Sequence, residues 1–189
     1  AYRCHDHHVY QDVMAKRSPY ATIYTSLGCP FSSCTFCVTP GFLGHGKVRF
    51  WSPERVVDWI DELVNRYKVR NIRIEDDIFL LNTQRVEAIC DILISRGYNL
   101  NFWCYGRTET VDPLVLEKMK QAGFTWICLG IEAAGREILK EIGKPSRRDI
   151  EGVVRQIQAA GISVMGNYIF GLPGESRRDM EETLHLAQK

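Results

Sequence analysis

Residues 20–37 read Tyr20-Ala-Thr-Ile-Tyr-Thr25-Ser-Leu-Gly-Cys29-Pro-Phe-Ser-Ser-Cys34-Thr-Phe-Cys37. The first third is rich in β-branched and aromatic residues, as a strand is, and Gly28 and Pro30 then end it. Three cysteines follow within nine residues, so a strand passes at its C-terminal end into a loop carrying three thiols. In α/β folds that end of the sheet carries the chemistry.

Outward from this stretch, apolar strand-like runs at 21–26, 71–75, 100–105, 125–129 and 163–170 alternate with amphipathic helix-like runs, the pattern of βα units on a parallel sheet. Helix starts are legible in Ser52-Pro53 and Asp112-Pro113, where a capping side chain precedes a proline suited to the first helical position. Ser146 with Asp149 and Ser176 with Asp179 resemble capping boxes. Glycine closes three helices, at Gly97, Gly123 and Gly161. Val56, Ile60, Leu63 and Tyr67 form the expected buried stripe of the first helix, and Trp59, Phe102, Trp103 and Trp126 are expected to pack in the core or at its rim. Five strands, with a final helix running to Lys189, make a partial TIM-type (β/α) barrel of parallel strands with outer helices, at least one unit short of completion. The expected organisation is a lead-in segment over 1–19, holding Cys4, His5, Asp6, His7 and His8, and an incomplete core over 20–189.

Composition restricts the partners. A chain of 189 residues, 45% hydrophobic, can bury one substantial core, and a formal net charge of +1 gives no long-range field to attract nucleic acid or an anionic membrane. No uninterrupted apolar stretch suggests a secretory signal or a membrane span, which makes the cytoplasm the expected compartment. Seven cysteines are an odd number in a chain too large to need disulfide staples. Cys90, Cys104 and Cys128 lie in apolar patterns and read as small buried hydrophobes. The crowded trio reads as a metal site.

Three thiolates on one short loop can each bind one iron of a cubane, leaving the fourth iron open to a small molecule. A structural zinc wants four ligands, and the nearest candidates for a fourth are His45, His5, His7 and His8. No second cysteine pair with ribbon-like spacing accompanies the trio.

The strand followed by Thr-Ser-Leu-Gly-Cys-Pro-Phe and then Cys-Thr-Phe-Cys resembles the cluster loop of radical S-adenosylmethionine (SAM) enzymes, in particular those that follow a cobalamin-binding domain. The family's spacing is Cys-x3-Cys-x2-Cys, whereas the first gap here is four residues, Pro30 to Ser33. The resemblance extends over about residues 20–189 through Ile74-Glu75-Asp76-Asp77, Gly130-Ile131-Glu132 and the turn Gly171-Leu172-Pro173-Gly174-Glu175. It implies a 4Fe–4S cluster on Cys29, Cys34 and Cys37, with SAM at the open iron. Phe36 would then pack near the cluster, and Glu75 and Asp76 would receive the SAM amino group. Arg107 would clamp a carboxylate of SAM or substrate, Glu132 would accept a ribose or amino hydrogen bond, and Asn167 and Gly171 would line the adenine side. Simpler roles compete for each of these: solvated loop charges for the acids, a surface ion pair for Arg107 and loop packing for Phe36.

The resemblance further implies reductive cleavage of SAM to begin radical chemistry, such as methyl transfer or ring formation, on a small-molecule or other substrate. It implies a flavodoxin- or ferredoxin-type electron donor, and cobalamin as a cofactor of the full-length protein. The competing readings are a non-catalytic iron–sulfur or zinc module and an inactive fragment of such an enzyme.

Overall fold

A computed structural model describes residues 19–39, 46–146 and 149–189. Strands β1 (Tyr20–Ile23), β4 (Asn71–Ile74), β5 (Asn101–Arg107), β6 (Phe124–Glu132) and β7 (Ser163–Tyr168) form one sheet in that order, every neighbouring pair parallel. Between them run α1 (Pro53–Tyr67), α2 (Thr83–Arg96), α3 (Pro113–Gln121), α4 (Arg136–Glu141) and α5 (Ile150–Ala159), with α6 (Arg177–Ala187) after β7. Because the strands follow one another without reversal, each right-handed crossover lays its helix on the same face. The sheet is therefore a partial barrel, open among the described residues.

Strand alternation sorts the two faces. Ile72, Ile74, Phe102, Cys104, Ile127 and Leu129 point to the helices and meet Val56, Ile60, Ile89, Met119 and Ile157 in the main core. Thr22, Arg73, Trp103, Tyr105, Trp126 and Met165 take the opposite, concave face, as register and partial exposure both show. The expected packing role thus divides: Phe102 is core, whereas Trp103 lies under the Arg73 guanidinium, 4.3 Å from its ring centre, on the concave side. Trp59 packs edge-on against Trp51 at the rim.

Most element ends form as expected. The Ser52 hydroxyl accepts from Arg55 N, Asp112 from Leu114 N, and Ser176 with Asp179 makes a full capping box. Gly97, Gly123 and Gly161 all adopt positive φ. Three expectations are corrected. Asp149 caps α5 by position alone, with no side-chain bond, so no box forms with Ser146. Val56 and Ile60 lie in the buried stripe of α1 as expected and Leu63 packs against its margin, but Val57 and Val64 complete the stripe and Tyr67, the last residue of the helix, is exposed. The expected run at 21–26 divides: β1 ends at Ile23, and Ser26–Leu27 forms β2, antiparallel to β3 (Arg49–Phe50).

Cys90, Cys104 and Cys128 are buried, as the apolar patterns suggested. Burial pushes the Cys90 thiol up to about 12 and Cys128 to about 11. No helix among the described residues is long and apolar enough to cross a membrane. The lead-in histidines, Cys4 and His45 lie outside the described residues.

Candidate functional site

All the candidate residues gather at or just beyond the C-terminal edge of the sheet, except Asn167, which lies within β7 itself. The cysteine loop leaves β1 through Thr25 and Ser26, and both are fixed from behind by Asp76, the second residue after β4. Asp76 is fully buried and accepts from Thr25 N and Thr25 Oγ1 at 2.5 Å each, from Ser26 N at 2.9 Å and from Ser26 Oγ at 2.7 Å. A buried carboxylate needs such donors and a nearby cation. Arg85 of α2 supplies the charge, donating to Thr25 O at 2.6 Å and Trp51 O at 3.1 Å. Asp76 is thus engaged with the loop's entry and has no exposed surface to offer an ammonium directly. Next to it, Asp77 accepts from Gly28 N at 3.2 Å and Thr39 Oγ1 at 3.0 Å, bracketing the loop from Gly28 to Thr39.

The far side of the loop rests on the end of α4. Thr35 N donates to Ile142 O at 3.0 Å, and Ser33 Oγ to Gly143 O at 2.6 Å. Gly143 has φ +72°, and a Cβ there would overlap the Ser33 carbonyl, so only glycine allows this contact. Between these two anchorages Cys29 and Cys34 are half-buried and Cys37 is exposed, all three free. Cys37 N closes a turn on Cys34 O at 3.3 Å. Burial raises the Cys29 thiol and the charge of Asp77 adds to the rise, offset in part by hydrogen bonding with the Phe31 backbone and by the charge of Arg107.

Arg107 ends β5 and is nearly buried. Its Nη1 lies 3.7 Å from Cys34 Sγ, its Nε 3.1 Å from Glu109 Oε2, and its Cζ 4.0 Å above the Phe31 ring centre. Burial raises the Glu109 carboxyl, but hydrogen bonds from Ser146, its own backbone and Arg107 outweigh this and hold it below its ordinary value. Glu132 ends β6 with φ +67°, unusual for a residue with a side chain, and forms a buried pair with Lys144 at 2.6 Å. Lys144 also donates to Gly130 O at 2.9 Å, and a side chain at Gly130 would collide with both partners. Glu75 pairs with Arg73 on the concave face. Phe36 is exposed, and Asn167 Nδ2 lies 3.3 Å from Cys128 Sγ. Gly171, at φ +80°, has open space where a Cβ would be, and its turn is closed by Glu175 accepting from Gly171 N and Leu172 N.

The profile of the radical SAM superfamily matches residues 23–187, seven-eighths of the sequence. The chain belongs to the radical SAM superfamily. It is 32% identical over 90% of its length to an uncharacterized methyltransferase of Pyrococcus horikoshii, and 30% identical over 85% to the anaerobic magnesium-protoporphyrin IX monomethyl ester cyclase of Cereibacter sphaeroides. It spans 37% and 26% of those proteins, about a third of the length of the relatives it matches. Among solved structures, the radical SAM methyltransferase TsrM from Kitasatospora setae superposes with a TM-score of 0.80 at 21% identity, over 91% of this chain and 34% of that one. That likeness concerns the fold. TsrM has been solved with a SAM analogue and also with cobalamin and a 4Fe–4S cluster.

The family's cofactors are a 4Fe–4S cluster and SAM, and the donor set here fits the cluster. Three free thiols stand on one loop, pinned at both ends, beside a cation able to stabilise thiolate. Among the described residues no three His, Cys, Asp or Glu side chains converge on one point, as a single ion requires. A cubane asks instead for one thiolate at each of three corners.

The sequence reading missed Lys144, Gly143 and Arg85. Gly143 has a detectable signal, a glycine closing a helix-like run, but nothing in the sequence announces that its neighbour across space is the cysteine loop.

Proposed function

We propose that this chain is the catalytic core of a radical SAM enzyme in which Cys29, Cys34 and Cys37 each bind one iron of a 4Fe–4S cluster and leave the fourth iron for the amino and carboxylate groups of SAM. The observation that carries this reading is the double anchorage of the cysteine loop, on Asp76 and Arg85 at one end and on Ile142–Gly143 at the other. A loop so fixed holds three sulfurs in place before any metal arrives, which is what a site with one open position needs. When bound, the cluster and SAM supply reductive cleavage of a carbon–sulfur bond and a 5′-deoxyadenosyl radical that takes hydrogen from substrate.

The remaining residues act on SAM. Gly171 leaves room for the adenine, Phe36 and Asn167 flank it, Glu75 faces the ammonium, and Glu132, held by Lys144, presents a fixed acceptor to the ribose or amino group. Asp76 contributes by positioning the loop. Arg107 stands on the cluster side of the site. The reduction draws on a flavodoxin- or ferredoxin-type donor, which places the enzyme in a reducing cytoplasm. The relatives' names, a methyltransferase and a cyclase, favour methyl transfer or ring formation on a small molecule, and the TsrM likeness favours cobalamin as a cofactor of the longer protein.

The test is anaerobic reconstitution with iron and sulfide, then dithionite and SAM, with chromatographic detection of 5′-deoxyadenosine. The product should form and should vanish in Cys34→Ala. A loaded cluster that yields none would favour an electron-transfer module or an inactive core.

A further inference from the structure

We infer that Arg107 sets the reduction potential of the cluster by a charged hydrogen bond to the Cys34 sulfur, an inference that rests on the cluster assignment proposed above. Three contacts fix the guanidinium: Nη1 to Cys34 Sγ at 3.7 Å, Nε to Glu109 Oε2 at 3.1 Å, and the Phe31 ring beneath Cζ at 4.0 Å. Its side chain is only 9% exposed, so solvent screens it weakly. Phe31 lies in the four-residue gap between Cys29 and Cys34, so the cysteine loop itself supplies the ring on which the guanidinium rests.

The direction of the effect follows from charge. The couple takes one electron from an external low-potential reductant into the cluster. No covalent bond in the protein changes and Arg107 keeps its protons throughout. The reduced cluster with its thiolates is more negative than the oxidised one, so a fixed cation at a ligating sulfur stabilises the reduced state and raises the potential. Glu109, paired to the same guanidinium, offsets part of that charge. Arg107 and Glu109 therefore pull the potential in opposite directions. This makes Arg107 a potential-setting residue rather than only a carboxylate clamp.

The experiment is a redox titration of the anaerobically reconstituted full chain, followed by electron paramagnetic resonance, on wild type, Arg107→Gln, Arg107→Lys and Glu109→Gln. At the wild-type midpoint, Arg107→Gln should lower the ratio of reduced to oxidised cluster about tenfold, ~59 mV more negative for a one-electron couple. Arg107→Lys keeps the charge and should fall between. Glu109→Gln should shift the midpoint the other way, a sign that general damage to the site would not produce. Both glutamine variants titrating at the wild-type midpoint would overturn the inference. If Arg107→Gln takes up no cluster, the Glu109→Gln midpoint decides alone: a rise supports the inference and no movement ends it. A wild-type chain with no cubane signal would overturn the cluster assignment itself, and this inference with it.

Discussion

Lys144 and Glu132 face each other almost without solvent, at 7% and 9% side-chain exposure, at the end of β6. Removing one partner of such a pair strands the other charge in a low-dielectric setting, at a cost of about 3–5 kcal/mol. Lys144→Met should therefore lower the free energy of unfolding by about that amount, read from the denaturant midpoint. The double change Lys144→Met with Glu132→Gln should recover part of the loss. Neither residue's pairing was legible in the sequence: Glu132 was visible as the acid of Gly-Ile-Glu, but its cation lies twelve residues on, past a helix whose existence no period announced. Asp76 has the same history. Its place after a strand marked it as a site residue, while its four bonds to Thr25 and Ser26 depend on a contact 50 residues away in sequence.

Among the elements, the contact between the end of α4 and the cysteine loop is the most exacting. Gly143→Ala would drive a methyl group into the Ser33 carbonyl, and the loop, lacking a core of its own, is what gives way. We expect this variant to keep its helical circular dichroism and melting behaviour to within about 1 kcal/mol, since α4 and the sheet have their own packing. Iron per chain after reconstitution should fall at least twofold. Strand and helix positions were readable because apolar periodicity and caps are local: β4, β5 and β7 start within a residue of where the pattern put them. The antiparallel β2–β3 pair was not, because strands of two residues have no period to detect. The α1 stripe was legible at Val56 and Ile60 but not at its end, where Val64 is buried and Tyr67 is exposed.

For the molecule as a whole, the buried thiols tie stability to alkaline pH. Cys90 and Cys128 are neutral in the folded chain, raised by burial from an ordinary value of 9.0 to about 12 and about 11. Cys104, fully enclosed, is raised as well. Each contributes stability that is complete below about pH 9 and is lost as pH climbs towards the folded value, because only the unfolded chain can then release the proton. The slope is about 1.4 kcal/mol per pH unit for each thiol. Urea midpoints of the metal-free chain should be level from pH 7 to 8.5 and fall by pH 10, with a shallower fall in Cys90→Ala. The parallel architecture was legible from the βα alternation, and the place of the cysteine loop at the sheet's C-terminal edge from the strand that precedes it. What the sequence alone did not reveal was how firmly the rest of the sheet edge grips that loop.

An iron with no protein ligand at the Cys29, Cys34 and Cys37 loop is the centre of the proposed function. The most direct measurement is the electron paramagnetic resonance spectrum of the reduced, reconstituted chain before and after SAM is added. Binding at the open iron should change the g values of the cubane signal. A cubane spectrum that SAM leaves unaltered would mean that SAM does not ligate the cluster, and would contradict the proposed function.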